Sequence, residues 1–160
     1  MKRSTARFLL AFVALVPACS IAGDLWGVLS TRSYHFNRSA DWNENNPGLG
    51  LEYSVPNGFR LIAGEYYNSY FRTSVYGGVA ILTDQWKGFR LAASLGALSG
   101  YPAQSGYSSV QPFLLPSVMW EGDRLGGNLV FFPKCMVCDK ASAGVLLQLK
   151  ARFGGSSGRG

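Results

Sequence analysis

The chain has 160 residues, 48% hydrophobic and only 15% charged, with 20 glycines and 14% aromatics. That length fits one domain, and a soluble domain usually carries about 25% charged residues, so the composition suits strands set in lipid around small lumenal residues. The formal net charge is +6; removing Lys2, Arg3 and Arg7, which lie in a segment expected to be cleaved, leaves 12 basic against 9 acidic residues, a scattered +3 and not the clustered basic face of a nucleic-acid binder.

Residues 1–22 read as a signal peptide. Met1 to Arg7 is short and basic, Phe8 to Val16 is apolar, and small residues follow, the order of a secretory signal. The apolar run is too short to span a bilayer as a helix, which takes about 20 residues. Ser20-Ile21-Ala22 predicts cleavage after Ala22, with lipidation of Cys19 in Val16-Pro17-Ala18-Cys19 as the alternative. No later segment reads as a membrane helix, so the mature part either is soluble in the periplasm or crosses a membrane as strands.

Period-two alternation over 23–153 predicts strands. Eight fall at 25–36, 47–55, 59–67, 73–82, 88–99, 109–120, 124–132 and 143–153, each near the 9–11 residues a tilted strand needs to cross a bilayer. Strand one is the weakest. Arg32 shares a face with Trp26, Val28 and Tyr34, so either Arg32 sits near an interface, if that face meets lipid, or a bulge shifts the register; both alternatives stand. Leu49, Leu51, Tyr53 and Val55 alternate with Gly48, Gly50, Glu52 and Ser54. In strand three the expected parity turns Glu65, and beyond it Ser69, inward and Ile62 and Tyr66 outward. Val75, Val79 and Ile81 alternate with Ser74, Gly78 and Ala80, and Phe89, Leu91, Ala93 and Leu95 with Arg90, Ala92, Ser94 and Gly96. In the last strand Val145, Leu147, Leu149 and Phe153 oppose Leu146, Gln148, Lys150 and Arg152, apolar outside and charged inside. Residues 154–160 are expected to be a disordered tail.

Tight turns at Pro56-Asn57-Gly58, Thr83 to Gly88 and Glu121-Gly122-Asp123 alternate with longer connections at 37–46, 68–72, 100–108 and 133–142. The fold expected is all-β, an eight-stranded antiparallel transmembrane barrel of the bacterial outer membrane, with both chain ends in the periplasm and the longer loops outside. A soluble β-sandwich or lipocalin-like barrel is the competing fold; a soluble closed barrel puts its apolar residues inside.

Candidate chemistry is sparse. The one histidine, His35, ends the first strand, and Asn68 and Ser69 end the third, at the same rim. A Ser and a His at one rim can form a nucleophile and base for acyl transfer, although a lone rim His is more often a hydrogen-bonded interface residue. Cys135 and Cys138 form a CxxC in the last outer loop. A zinc site would want two more ligands nearby and a redox role a helix N-terminus, so a loop-stapling disulfide is expected in an oxidising compartment. No metal and no cofactor are implied.

Several segments resemble PagP, the family of outer-membrane palmitoyltransferases that acylate lipid A. They are Tyr34-His35-Phe36, Asn43-Glu44-Asn45, Pro47-Gly48-Leu49-Gly50, Tyr67-Asn68-Ser69 and Tyr76-Gly77-Gly78. Pro112-Phe113-Leu114-Leu115-Pro116-Ser117-Val118 and Gln148-Leu149-Lys150-Ala151-Arg152-Phe153 complete the series, in order over most of 34–153. In that family a His in the first outer loop region and an Asp-Ser pair in the second are functional. The resemblance puts those roles on His35 as base, Ser69 as nucleophile or hydrogen-bond partner of the ester, and Asn68 where the family has Asp. An Asn cannot bear the charge that steadies an imidazolium, though it can orient a partner. The chain lacks room for the family's amphipathic helix ahead of the barrel, and its first outer loop is shorter.

The family barrel holds one acyl chain in its lumen and opens sideways where prolines weaken strand pairing. Pro removes a ladder donor and sits at edges or breaks; Pro47, Pro112, Pro116 and Pro133 are the candidates for lateral lipid access. Small residues in an otherwise filled eight-stranded barrel suggest a narrow slot at Gly48, Gly50, Gly78, Ala92, Ser94 and Gly96, with Gly77 or Gly78 setting its depth. The resemblance implies acyl transfer from a glycerophospholipid donor to lipid A or a related outer-leaflet lipid. The alternatives are a non-catalytic barrel with a structural or binding role, favoured by Asn68, and a lipid deacylase using water. Expected partners are these membrane lipids and the barrel-insertion machinery; a monomer and no nucleic acid are expected.

Overall fold

Successive side chains of a strand point to opposite faces, so a strand with one apolar and one polar face needs two different solvents. The computed structural model describes residues 23–38, 40–55, 57–101, 110–134 and 142–154 and meets that need with a closed cylinder. Its strands are β1 (Leu25–His35), β2 (Asn45–Val55), β3 (Phe59–Tyr67), β4 (Thr73–Leu82), β5 (Phe89–Ser99), β6 (Val110–Glu121), β7 (Leu125–Phe132) and β8 (Gly144–Gly154). Each pairs antiparallel with the next, and β8 closes on β1. Closure gives every strand a partner on both sides, as strands surrounded by lipid require, over all or part of its length. No helix among the described residues is long and apolar enough to cross a membrane.

Leu49, Leu61, Val75, Leu91, Leu95, Leu114, Leu129 and Leu149 are exposed on the exterior, whereas Ser30, Glu52, Arg60, Ser117, Asn128, Gln148 and Lys150 are buried inside. This distribution is the reverse of a soluble barrel or sandwich and fits a cylinder whose outside meets acyl chains. The expected strands agree with the observed ones to within two residues at every end, β8 running one residue past the expected barrel boundary to Gly154. The signal peptide, Cys19, the Cys135–Cys138 pair and the tail beyond Gly154 lie outside the described residues.

The structure selects the bulge of the two alternatives left open for β1 and overturns the parity expected of β3. In β1 the register shifts between Ser30 and Arg32 against both β2 and β8. Thr31 is the extra residue, and its Oγ1 donates to the Leu147 carbonyl at 2.8 Å. Trp26, Val28 and Ser30 therefore point into the lumen, while beyond the bulge Arg32 and Tyr34 point out. An Arg at the bilayer midplane costs about 2–4 kcal/mol and near an interface about 0–1; Arg32 lies in the loop-end part of β1, beside Asn45 of β2. In β3 the parity is inverted: Ile62 and Tyr66 face inward, and Glu65 faces outward in register with Leu49 and Val75. Arg60 sets that parity, because its charge is matched only inside the lumen, by Glu52 and Glu121.

The tight turns join strands at what we call the turn end, and the longer connections at the loop end. Lys87 and Gly88, both at positive φ (50° and 87°), form the two-residue hairpin between Trp86 and Phe89, the backbone such a turn requires. At the turn end the lumen is packed with ions. Arg60 Nη1 donates to Glu52 Oε2 at 2.9 Å and also to Glu121 Oε1, while Lys150 Nζ reaches Glu121 Oε1 at 2.7 Å and Glu52 Oε2 at 3.1 Å. Asn128 Nδ2 donates to Glu52 Oε1 at 2.7 Å and to Gln148 Oε1 at 3.1 Å. Gln148 Nε2 donates to Ser30 Oγ at 3.1 Å. Lys150 and Arg152 stand over the buried Trp26 ring, 5.1 and 4.7 Å from its centroid, a favourable placement for cations. These groups fill the cross-section.

Candidate functional site

Among the described residues, side chains leave the loop-end half of the lumen partly open. A cavity of about 240 Å³ opens there, lined by His35, Trp42, Ser69, Tyr70 and Tyr101 near the mouth and by Tyr66, Leu98, Phe113, Leu115, Phe132 and Leu146 deeper down. A smaller cavity of about 60 Å³ shares those six deeper residues and ends on Glu52, Asn128 and Gln148. Together they form a blind shaft, apolar along its wall and floored by the ionic packing.

The shaft also reaches the barrel's side. β5 and β6 pair along the whole strand, from Phe89↔Trp120 to Ser99↔Val110. β6 and β7 pair only from Glu121↔Gly126 to Ser117↔Val130, so the ladder stops beside Pro116. Above it β6 continues with no registered partner on β7, and the cavity is lined by Pro112 to Leu115 on one side of this seam and by Phe132 and Pro133 on the other. Leu114 lines the cavity and is also exposed outside. Pro112, Pro116 and Pro133 thus sit where β6–β7 pairing ends, and the missing proline N–H donors account for the break. Pro47 lies apart, in the stretch where the β1–β2 ladder skips from Gly48 to Asn45, and does not line the shaft.

His35 and Ser69 line the same cavity, and among the described residues no hydrogen bond joins them. His35 is held from three directions. Its ring stacks on Trp42, with centroids 5.0 Å apart and planes 11° apart. Its Nδ1 lies 3.7 Å from Glu44 Oε1, and its backbone N–H donates to that same oxygen at 3.1 Å. Arg38 Nη1 donates to Glu44 Oε1 at 2.6 Å, fixing the carboxylate. The carboxylate lies beside the ring without a hydrogen bond to Nδ1, which is buried and has no partner among the described residues. The mouth continues as an aromatic chain: Trp42 meets Tyr70 edge-on at 5.5 Å, Tyr70 meets Tyr101 at 5.6 Å, and the Tyr101 and Tyr66 hydroxyls are 2.8 Å apart. Burial pushes the loop phenols Tyr70 and Tyr101 up from the ordinary tyrosine value, so both are neutral hydroxyls at physiological pH.

Asn68 is completely buried and its amide is committed to the loop. Nδ2 donates to Ser74 Oγ at 2.9 Å and to the Gly100 carbonyl at 3.0 Å. Oδ1 accepts from the Tyr70 and Arg72 backbone N–H groups at 2.8 and 3.1 Å. Both amide donors and both acceptor sites are engaged, the inventory of an Asn and not of an Asp. Asn68 therefore shapes the loop that carries Ser69 and Tyr70, and its side chain is not aimed at the cavity.

The expected glycine slot is corrected. Gly77 faces outward, and a Cβ there would meet nothing within 4 Å. Gly48, Gly50, Gly78, Ala92 and Gly96 face inward but line neither cavity. Their space is taken: a Cβ on Gly50 would lie 2.5 Å from the Tyr76 hydroxyl, one on Gly48 would strike Tyr66, and one on Gly96 would lie 2.9 Å from Phe113 Cζ. Gly50 and Gly96 thus make room for Tyr76 and Phe113, whereas Gly48 and Gly78 lie against the neighbouring strand, and the open space is lined by other residues. Ser94 does line the lower cavity. Sequence reasoning missed Glu44, Trp42, Tyr66, Tyr70 and Tyr101. Glu44 was legible in one respect: with β1 ending at His35 and β2 starting at Asn45, hairpin pairing brings residues 35 and 44 to opposite sides of one loop. Among the described residues no group of His, Cys, Asp and Glu could hold a metal ion.

The fold is similar to that of solved barrels at low identity. A de novo designed transmembrane β-barrel matches at 11% identity over 82% of this chain and 96% of its own, with a TM-score of 0.58. The designed barrel TMB2.3 matches at 10% over 82% and 95%, at 0.59. The N-terminal β-barrel domain of Pseudomonas aeruginosa OprF matches at 12% over 82% and 99%, at 0.53. Such likeness establishes an eight-stranded transmembrane-type barrel. No protein-family model and no curated protein matches the chain.

Proposed function

We propose that this protein is a PagP-like lipid acyltransferase of the bacterial outer membrane, moving an acyl chain from a glycerophospholipid to lipid A or a related outer-leaflet lipid. The observation that carries the reading is the blind apolar shaft beneath His35, open at the β6–β7 seam beside Pro112 and Pro133. A single acyl chain entering from the side would thread the shaft and leave its ester at the mouth. His35 Nε2 would take the proton from the acceptor hydroxyl as that oxygen attacks the ester carbonyl. The tetrahedral adduct would then expel the lysophospholipid alkoxide, which recovers the proton from the imidazolium. Glu44, which the resemblance gives no role, would supply the negative charge Asn68 lacks. The Ser69 hydroxyl would donate to the developing oxyanion; this role suits its position on the cavity wall without a hydrogen bond to His35.

The engaged amide of Asn68 favours a second reading, a barrel that holds lipid without chemistry. Incubating the folded protein with radiolabelled phospholipid and lipid A, beside His35→Gln and Ser69→Ala, separates the readings. Labelled lipid A that disappears in His35→Gln supports transfer. Labelled free fatty acid in its place indicates a deacylase, and no product from the native chain supports the non-catalytic barrel.

A further inference from the structure

Arg32 is a charge on the wrong side of the wall. Regular alternation from Trp26, Val28 and Ser30 would turn residue 32 into the lumen, and the bulge at Thr31 turns it outward instead. There it is exposed beside Leu147 and Asn45, and among the described residues no carboxylate or hydrogen-bond partner reaches its guanidinium. A lipid-facing guanidinium left unpaired is a cost that an ordinary strand residue would avoid.

The same outward line continues into a second guanidinium. Tyr34 and Phe36 are both more than half exposed and pack at 6.0 Å, and Phe36 meets Phe131 at 6.3 Å. Beyond them the Arg38 guanidinium lies over the Tyr34 ring, 5.1 Å from its centroid, with 59% of its side chain exposed. Two forked cations thus flank an aromatic patch at the loop end, where the interface of a leaflet would lie. Guanidinium forks match the oxygens of a phosphate, and aromatic rings favour the headgroup level of a bilayer.

We propose that Arg32 and Arg38 hold the phosphate of a membrane lipid standing against β1, its chain lying over Leu29, Leu147 and Leu149. A lipid is the occupant, and not a dissolved anion, because Arg32 emerges from the apolar wall below Tyr34 and Phe36. The site rests on the lipid-facing exterior and not on acyl transfer, so the transfer assay and the binding assay fail independently.

The test uses the full folded chain in a maltoside detergent, which carries no phosphate, with native mass spectrometry as the readout. The probes are dioleoyl phosphatidic acid, dioleoylglycerol with the same chains, and inorganic phosphate as competitor. Phosphatidic acid should bind at least about tenfold more tightly than dioleoylglycerol. Arg32→Gln should weaken it about tenfold, the worth of one charge-assisted hydrogen bond, and leave dioleoylglycerol unchanged. Arg38→Gln should weaken it less, because Glu44 already engages that side chain. Arg32→Gln removes a charge facing lipid, so the barrel folds, and heat-modifiable gel mobility checks that it has. Equal binding of phosphatidic acid by Arg32→Gln and the native chain would overturn the site. Displacement of the lipid by equimolar inorganic phosphate would overturn the lipid as its occupant.

Discussion

The two halves of the lumen solve the same packing problem with opposite chemistry. At the turn end, Glu52, Glu121, Arg60, Lys150, Asn128 and Gln148 are joined by hydrogen bonds, with Arg60 Nε and Asn128 Oδ1 left without partners. At the loop end, rings and aliphatic chains of the described residues line a cavity of about 240 Å³. An eight-stranded cylinder has room only for side chains or for one narrow ligand. Investing polar packing in one half frees the other for a ligand: the ionic half carries stability and the apolar half is available for function. The β6–β7 seam follows the same division, paired from Glu121 to Ser117 and open above Pro116.

Substitutions should therefore divide by half. The largest effect is expected from Glu121→Ala, which leaves Glu52 alone to match the buried charges of Arg60 and Lys150. Removing one partner of a buried pair costs about 3–5 kcal/mol, read as urea unfolding in phospholipid vesicles by tryptophan fluorescence; a loss under about 1 kcal/mol would mean the ionic half does not hold the barrel. Asn68→Asp comes next. It restores the residue type of the resembling family yet removes the donor to Ser74 Oγ and Gly100 O, so about 1–3 kcal/mol should be lost with no gain in transfer. Higher transfer without loss of stability would return Asn68 to the catalytic group. Leu115→Trp, in the shaft wall, should cost about 1–3 kcal/mol through overpacking while shortening or abolishing the acyl chain the protein accepts, measured with donors of graded chain length. Unchanged chain preference would place the chain elsewhere. Gly77→Ala, outward with open space around it, should change stability by less than about 0.5 kcal/mol.

Much of the architecture was legible because lipid enforces a strict rule. With the outside apolar and the ladder closed, alternation in β2, β4, β5 and β8 gives both strand position and facing, and Asn57-Gly58 and Lys87-Gly88 mark their turns. The rule fails where both faces of a strand are plausible. In β3, Tyr66 and Ile62 suit lipid as well as a cavity, and only the pairing of Arg60 with Glu52 and Glu121, 8 and 61 residues away, fixes the parity. In β1 a bulge resets the period in the middle of the strand; Arg32 on an otherwise apolar face pointed to it as one of two alternatives, and alternation alone did not choose between them. The site was half legible. His35, Ser69 and the seam prolines are visible as residue types, and the cavity joins His35 and Ser69. The slot glycines misled because a glycine in a lumen shows only that something needs space: at Gly50 and Gly96 it is Tyr76 and Phe113, at Gly48 and Gly78 the neighbouring strand. Glu44 was hidden because its role comes from the closure of one hairpin loop and not from a motif.

The central claim is that a lipid acyl chain occupies the loop-end half of the lumen. The most direct measurement reconstitutes the protein in vesicles containing a phospholipid with a photoreactive diazirine at the end of one acyl chain, then irradiates and maps the labelled residues. The account predicts label on the inward residues Phe113, Leu115 and Leu146, in addition to the exterior leucines. Label confined to exterior residues such as Leu91, Leu129 and Leu149, with none inside the lumen, would contradict it.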